Sequence, residues 1–179
     1  MTRLELARGG RQVRDRDQYV VQLQKREGIP VVRIRDADPA ERAALEALQR
    51  RSSDVWEQYR EQLAANPDAI VLPDDFIGNG WVRVAVAADG RPIGFSVTIP
   101  GDAGVHELDG LFVEPGRMHR GVGRALVEDA AARAARGGAG CLEVIAGPAQ
   151  GFYERVGFTL VGSAETRFGP AVRMRRLVA

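Results

Sequence analysis

Apolar residues recur along this chain with two periods, one of two residues and one of three to four, and their interleaving predicts a mixed α/β fold. Trp81 to Ala87 (WVRVAVA) and Ile93 to Ile99 (IGFSVTI) read as strands joined by Asp89-Gly90, a pair suited to a tight hairpin turn. Val31 to Arg35 (VVRIR) alternates apolar and basic residues, like an edge strand with one wet face. In the strand Val105 to Val113 the apolar phase slips: Val105, Leu111 and Val113 are in phase, Leu108 and Phe112 take the other phase, and Asp109-Gly110 lies between. A slip at a glycine is the mark of a β-bulge, although a strand buried on both faces would give the same letters. Cys141 to Ala146, Phe158 to Val161 and Ala171 to Leu177 read as further strands, the last two closing an antiparallel end.

The helical period appears four times between these strands. Asp38 caps a helix with Pro39 at its first position, Glu41 in its first turn and Ala44, Leu45 and Leu48 as its buried stripe. Ser53 and Asp54 can start a second helix, whose stripe Trp56, Tyr59 and Leu63 is read first as core and second as the lining of a pocket. Val122, Leu126, Ala130 and Ala134 lie on one i, i+4 row that Gly137, Gly138 and Gly140 end. Gly147-Pro148 then turns into a short helix bearing Phe152 and Tyr153, stopped by Gly157. Asn66 to Gly80 is expected to be an irregular loop, and Thr166 to Pro170 a turn at the rim of an acceptor pocket. Residues 1–30 read as an extension, partly helical or flexible, in which Tyr19, Val20 and Leu23 form a short helical stripe that Gly28 would stop; one domain follows over residues 31–179.

Composition narrows the classes. A chain of 179 residues, 45% hydrophobic, is long enough for one sizeable core, and a net charge of +1 gives no field that would favour nucleic acid or a membrane surface. Lys25 is the only lysine among 25 basic residues. Cys141 has no partner for an intramolecular disulfide, and with His106 and His119 it makes a poor ligand set, so no metal is expected. No apolar run approaches the roughly 20 residues of a membrane span and no signal-peptide core follows Arg3, so a cytoplasmic location is expected.

The chemistry concentrates in Leu108 to Leu126 (LDGLFVEPGRMHRGVGRAL), a strand, a glycine-rich turn and the start of a helix. Such a turn is an anion cradle: its amides lack intrahelical partners, the helix dipole adds partial positive charge and glycines allow close approach. Arg117, Arg120 and Arg124 add formal charge that suits phosphate oxygens. Two common nucleotide patterns fail on spacing. Leu126 occupies the place of the last glycine of the dinucleotide fingerprint, and Val122 and Gly123 replace the Lys and Ser or Thr of a P-loop started at Gly116.

Leu111, Val113, Pro115, Gly121 and Gly123 instead fall on L-x-V-x-P-x-x-[QR]-x-x-G-x-G/A, and GFYERVGF places Phe152, Tyr153, Glu154, Gly157 and Phe158 on F-Y-E-x-x-G-F. With these two motifs in order, the chain resembles the GNAT superfamily of acetyl-CoA-dependent N-acetyltransferases. The resemblance implies a mostly antiparallel central sheet flanked by helices, with acetyl-CoA as co-substrate. It implies cofactor contacts from Leu111, Phe112, Val113, Met118, His119, Arg120, Gly121, Val122, Gly123 and Arg124. Met118 departs from the usual Gln or Arg, and AGPAQGFY lacks the Asn that often precedes the tyrosine helix.

Acetyl transfer to an amine needs a neutral amine, stabilisation of an oxyanion and a proton for the thiolate. An alkylammonium has a pKa of about 10.4, so a base is required at neutral pH. The resemblance implies Tyr153 as general acid and Glu107, on the cofactor strand, as base, with Asp109 the alternative. A bulged strand would free an amide within Asp109 to Phe112 for the oxyanion. His119 reads as a surface histidine or a phosphate contact. His106 should face away from Glu107, and a Cys141–His nucleophilic pair has no orienting residue near it. The implied function is N-acetyl transfer to a primary amine by direct attack in a ternary complex, on a small molecule in preference to a protein, by a monomer or homodimer. The alternative is a non-catalytic acyl-CoA-binding or regulatory module on the same fold.

Overall fold

The computed structural model describes residues 19–20 and 32–178. Among the described residues, eight strands form one sheet in the order β1-β2-β3-β4-β5-β6-β8-β7. They are β1 Tyr19–Val20, β2 Arg33–Asp36, β3 Val82–Val86, β4 Pro92–Pro100, β5 Val105–Val113, β6 Cys141–Ala146, β7 Thr159–Thr166 and β8 Gly169–Leu177. Every neighbouring pair is antiparallel except β5 with β6. Five helices flank the sheet: α1 Arg42–Ser53, α2 Glu57–Ala65, α3 Asp74–Gly78, α4 Val122–Arg136 and α5 Gln150–Arg155. None of the helices among the described residues is long and apolar enough to cross a membrane.

Alternation along the strands divides the core. Val82, Val84, Val86, Phe95 and Val97 pack with Leu45 and Leu48 of α1 on one face of the sheet. On the other face, α4 buries Val127, Ala130 and Ala134 against Leu108, Leu142 and Met174 towards one end, and Val122, Ala125 and Leu126 against Ile34 and Ala85 towards the other. Gly94 lets α4 approach closely, since a Cβ there would crowd the Phe112 carbonyl oxygen at 2.9 Å and the Val122 and Leu126 side chains at 3.1 and 3.2 Å. Between helix and sheet, the buried Arg83 guanidinium donates from Nε to Asp129 Oδ2 (2.9 Å) and from Nη2 to Asp129 Oδ1 (3.1 Å), and its Nη1 reaches Asp36 at 2.8 Å.

The phase slip in β5 is a bulge. Val97 pairs with Gly110 and Thr98 with Leu108, which leaves Asp109 as the extra residue. The bulge turns Leu108 onto the α4 face with Leu111 and Val113, while Phe112 faces the other way and packs on Phe95. Pairing by letters alone had set Leu108 with Phe112.

Four further expectations are corrected. Tyr19–Val20 is a strand pairing with β2 and not part of a helix, since an open sheet edge offers these strand-favouring residues backbone partners; Leu23 and the rest of the segment lie outside the described residues. Ala44 is exposed, because the buried face of α1 is the narrower stripe Leu45, Leu48 and Ser52. Ser53 ends α1, and the second helix starts at Glu57. Asn66 to Gly80 carries a 3-10 turn over Pro67–Ile70 and the one-turn α3.

The Arg83–Asp129 pair yields a stability prediction. Asp129→Ala leaves a buried guanidinium short of its partner and lowers stability by about 3–5 kcal/mol, read as a shift of the urea midpoint. Replacing the pair together, Arg83→Met with Asp129→Leu, costs much less.

Candidate functional site

The one parallel pair in the sheet is short. β5 and β6 pair from Val105↔Cys141 to Glu107↔Glu143 and no further, although β5 continues to Val113 and β6 to Ala146. The strands part at the bulge, and a cleft of about 700 Å³ opens beside the far half of β5. Leu111 and Val113 form one wall, Phe152 and Tyr153 of α5 another, and the turn before α4 closes one end.

Main-chain polarity along this wall follows from the ladder. Glu114 N–H donates to the Ile93 carbonyl (2.9 Å), so by strand alternation the main chain of Leu111 and Val113 turns away from β4. Val113 N–H accordingly donates to the buried Ser52 hydroxyl at 3.2 Å. Leu111 N–H faces the cleft by the same alternation.

The turn before α4 is built for an anion. His119 (φ 60°) and Gly121 (φ 85°) both hold positive φ, and Gly121 is the N-cap residue of the 15-residue α4 with no side-chain cap. The amides of Val122, Gly123 and Arg124 thus have neither an intrahelical carbonyl nor a capping side chain, and they stand at the positive end of the helix dipole. Gly123 is packed from the cleft side: a Cβ there would meet the Phe152 ring at 3.2 Å.

Of the residues predicted from sequence, Leu111, Val113, Met118, His119, Gly121, Gly123, Arg124 and Tyr153 all line this cleft. Three cofactor candidates do not. Phe112 points to the opposite face of the sheet, 5.0 Å from the Phe95 ring centroid. Val122 buries its side chain under the sheet and offers the cleft only its amide. Arg120 is exposed outside the lining, and Arg124 also donates through Nη2 to the Arg155 carbonyl at 3.0 Å.

The two catalytic candidates sit on opposite faces. Tyr153 is buried in the α4-side core, edge-on to Phe152 and Phe158, and burial pushes its phenol well above the ordinary tyrosine range, so it is protonated at neutral pH. Glu107 lies outside the cleft lining and faces away from α4, since its neighbour His106 approaches Gly137 and its neighbour Leu108 joins the α4-side core. Partial burial, then the charges of Asp109 and Glu143, push the Glu107 carboxyl up, opposed by Arg173. Asp109 is an exposed residue whose carboxyl is pushed up by the protein mass around the bulge.

Sequence periodicity missed part of the lining. α2 buries none of its residues; Trp56, read first as core, is 37% exposed and lines the cleft with Val55 and Ser52. Its neighbour Tyr59 faces a second cavity, of about 330 Å³, with Gln58, Gln62, Phe168 and Pro170. Pro148 borders both spaces, so the Thr166 to Pro170 turn does stand at the rim of a pocket beside the cleft. The glycine-proline turn before α5 was the one local signal for this corner.

Known proteins match this geometry. A family model described as an acetyltransferase (GNAT) domain matches residues 80–160. The peptidyl-lysine N-acetyltransferase YjaB of Salmonella typhimurium is 30% identical over 135 residues, spanning 75% of this chain and 88% of that protein. The solution structure of apo YjaB from Escherichia coli superimposes with a TM-score of 0.63 at 26% identity, covering 84% of this chain and 100% of that one. A crystal structure of nourseothricin acetyltransferase is similar at 30% identity and a TM-score of 0.51, covering 61% of this chain and 70% of that one.

The left-handed Gly121 supplies a test of the cradle. Gly121→Val strains that conformation by about 1–2 kcal/mol and displaces the amides beyond it. Calorimetry is expected to record a loss of coenzyme A affinity of about tenfold or more, with the global fold retained.

Proposed function

The chain belongs to the GNAT acetyltransferase family, and on that premise we propose that it transfers an acetyl group from acetyl-CoA to a primary amine by direct attack in a ternary complex. One observation carries the proposal: the uncapped N-terminus of α4 and the protonated Tyr153 phenol open onto the same cleft. An acyl-CoA supplies the activated thioester; the rest is done by this chain. The amides of Val122, Gly123 and Arg124 hold the diphosphate, with Met118 and His119 beside them and Arg120 and Arg124 as outer charges. The peptide edge at Leu111 and Val113 aligns the arm, and Leu111 N–H, beside the bulge, is aimed to donate to the thioester oxygen as charge develops there.

Tyr153 then donates its proton to the departing sulfur. Burial keeps the phenol protonated near neutral pH, which excludes the role of base, since the phenolate is not populated there. The base reading falls to Glu107, through water, because its carboxyl is raised by partial burial and the neighbouring carboxylates, and it stands on the face of the sheet opposite the acid. Asp109 is the alternative, on the bulge itself. A small-molecule amine is the proposed acceptor: the second cavity is of side-chain to small-ligand size. A cytoplasmic site of action is part of the same proposal.

Thiol release with acetyl-CoA over a panel of primary amines and a lysine peptide tests the activity. Binding of acetyl-CoA with no amine acetylated would assign the chain to the non-catalytic module. Tyr153→Phe is expected to lower kcat by about 10²-fold or more while leaving coenzyme A affinity near that of the wild type; equal turnover would remove the phenol from the mechanism. For Glu107 the sign is fixed by its role: activity falls as pH drops through its raised pKa, above the usual carboxylate range. Glu107→Gln should therefore lower kcat and remove this acid limb from the pH profile of kcat/KM.

A further inference from the structure

We propose that Ser52 is a co-substrate-binding residue of the cleft: its hydroxyl, held as an acceptor by Val113 N–H, donates its own proton to an amide carbonyl of the acyl-CoA arm. The proposal rests on the reading of the cleft as an acyl-CoA site and adds to that site a side chain from α1.

Main-chain donors along this part of β5 are few. Beyond Glu107↔Glu143 the strand has no ladder partner on its β6 side, and strand alternation from the Glu114–Ile93 bond turns the amides of Leu111 and Val113 to that side. Val113 N–H is already occupied by Ser52 Oγ at 3.2 Å. Leu111 N–H is therefore the one amide of the pair open to a ligand, and the proposed chemistry assigns it to the thioester oxygen. Any further donor to the arm must come from off the strand.

Ser52 supplies that donor. A hydroxyl accepts and donates at the same time, and its proton rotates to suit the acceptor. The accepting side of Ser52 is taken by Val113, whereas its proton has no acceptor among the described residues. Ser52 is 5% exposed, yet it belongs to the lining of the cleft. A buried donor without an acceptor is costly, and a ligand carbonyl at the cleft wall removes that cost. Acceptance from Val113 also polarises the hydroxyl, and water competes little for a group so covered.

The hydroxyl is held in place by its neighbour in the helix. Arg51 binds Glu114 from Nε to Oε1 and from Nη2 to Oε2, both at 2.8 Å, so two successive residues of α1 grip two successive residues of β5. The Arg51 hydrogen bond holds the Glu114 carboxyl below the usual carboxylate range, and the pair stays ionised at neutral pH. A two-point contact of this kind fixes direction as well as distance. Further along the chain, Val55 and Trp56 continue the same wall.

Selectivity for the arm follows. The diphosphate is assigned to main-chain amides at the start of α4, so the Ser52 hydroxyl matters to a ligand that carries the amide arm and not to the nucleotide alone. Calorimetry on the wild type and Ser52→Ala compares coenzyme A with adenosine 3′,5′-bisphosphate, which lacks the arm. Coenzyme A is expected to bind Ser52→Ala about 5- to 20-fold more weakly, with the bisphosphate within about twofold of the wild type. Retained nucleotide affinity also shows that the variant is folded. Equal or tighter coenzyme A binding in Ser52→Ala overturns the proposal, because the freed Val113 N–H then serves the arm directly. A parallel loss of both ligands overturns it as well, since Ser52 is then a support of the fold. Either result leaves the acyl-CoA reading standing on the wild-type titration, whereas a wild type that binds neither ligand removes that reading and the role of Ser52 together.

Discussion

The early end of the β5–β6 ladder is the constraint on which the site depends. Two parallel strands that continue past their last pair, Glu107↔Glu143, leave main-chain groups without partners inside the molecule. The bulge at Asp109 makes the divergence, by adding one residue to β5 against β4. One of the stranded groups is recovered internally, where the Ser52 hydroxyl accepts from Val113 N–H. Leu111, two residues nearer the bulge, faces an open cleft. A broken sheet is tolerated here because the stranded groups face an open cleft and not the packed core.

A break in a sheet is useful only if the anion site beside it is held still. α4 is held by shape and by charge: Gly94 brings the helix close to β4, and the buried Arg83–Asp129 pair ties its middle to β3. Apolar residues of similar volume would stabilise the contact at least as well. What the ion pair adds is direction, since a bidentate contact fixes the rotation and axial position of α4, and with them the direction of the amides after Gly121. The same helix therefore links packing at its centre to chemistry at its first turn.

The parts of this arrangement that were legible in the sequence are those encoded by near neighbours. Gly121 and Gly123 before an apolar i, i+4 row mark a helix start, and the phase slip at Asp109-Gly110 fits a bulge, although a strand buried on both faces would give the same letters. Tyr153 was legible through the motif around it. Side-chain destinations that depend on distant elements were not. Phe112 and Val122 belong to the motif yet face the core, because strand and helix periodicity give alternate residues to the cleft. The stripe beginning at Trp56 has the spacing of core residues, but α2 buries none of its residues, so Trp56 lines the cleft and Tyr59 the cavity beside the β7–β8 hairpin. Ser52 and Gln62 carry no local signal at all; their roles exist only once α1 meets β5 and α2 meets the β7–β8 hairpin.

The placement of the two proposed proton-transfer groups follows from the same break. Tyr153 is held on the α4 side, where burial keeps its proton on, and Glu107 on the other side, where partial burial and then neighbouring carboxylates raise its affinity for one. A continuous sheet would separate them. In the proposed reaction, the gap beyond Glu107 would be where the amine meets a thioester held beside β5. One added residue in β5 thus opens the sheet and turns Leu111 into the opening, and it leaves the two proposed proton-transfer groups on opposite faces of the same break.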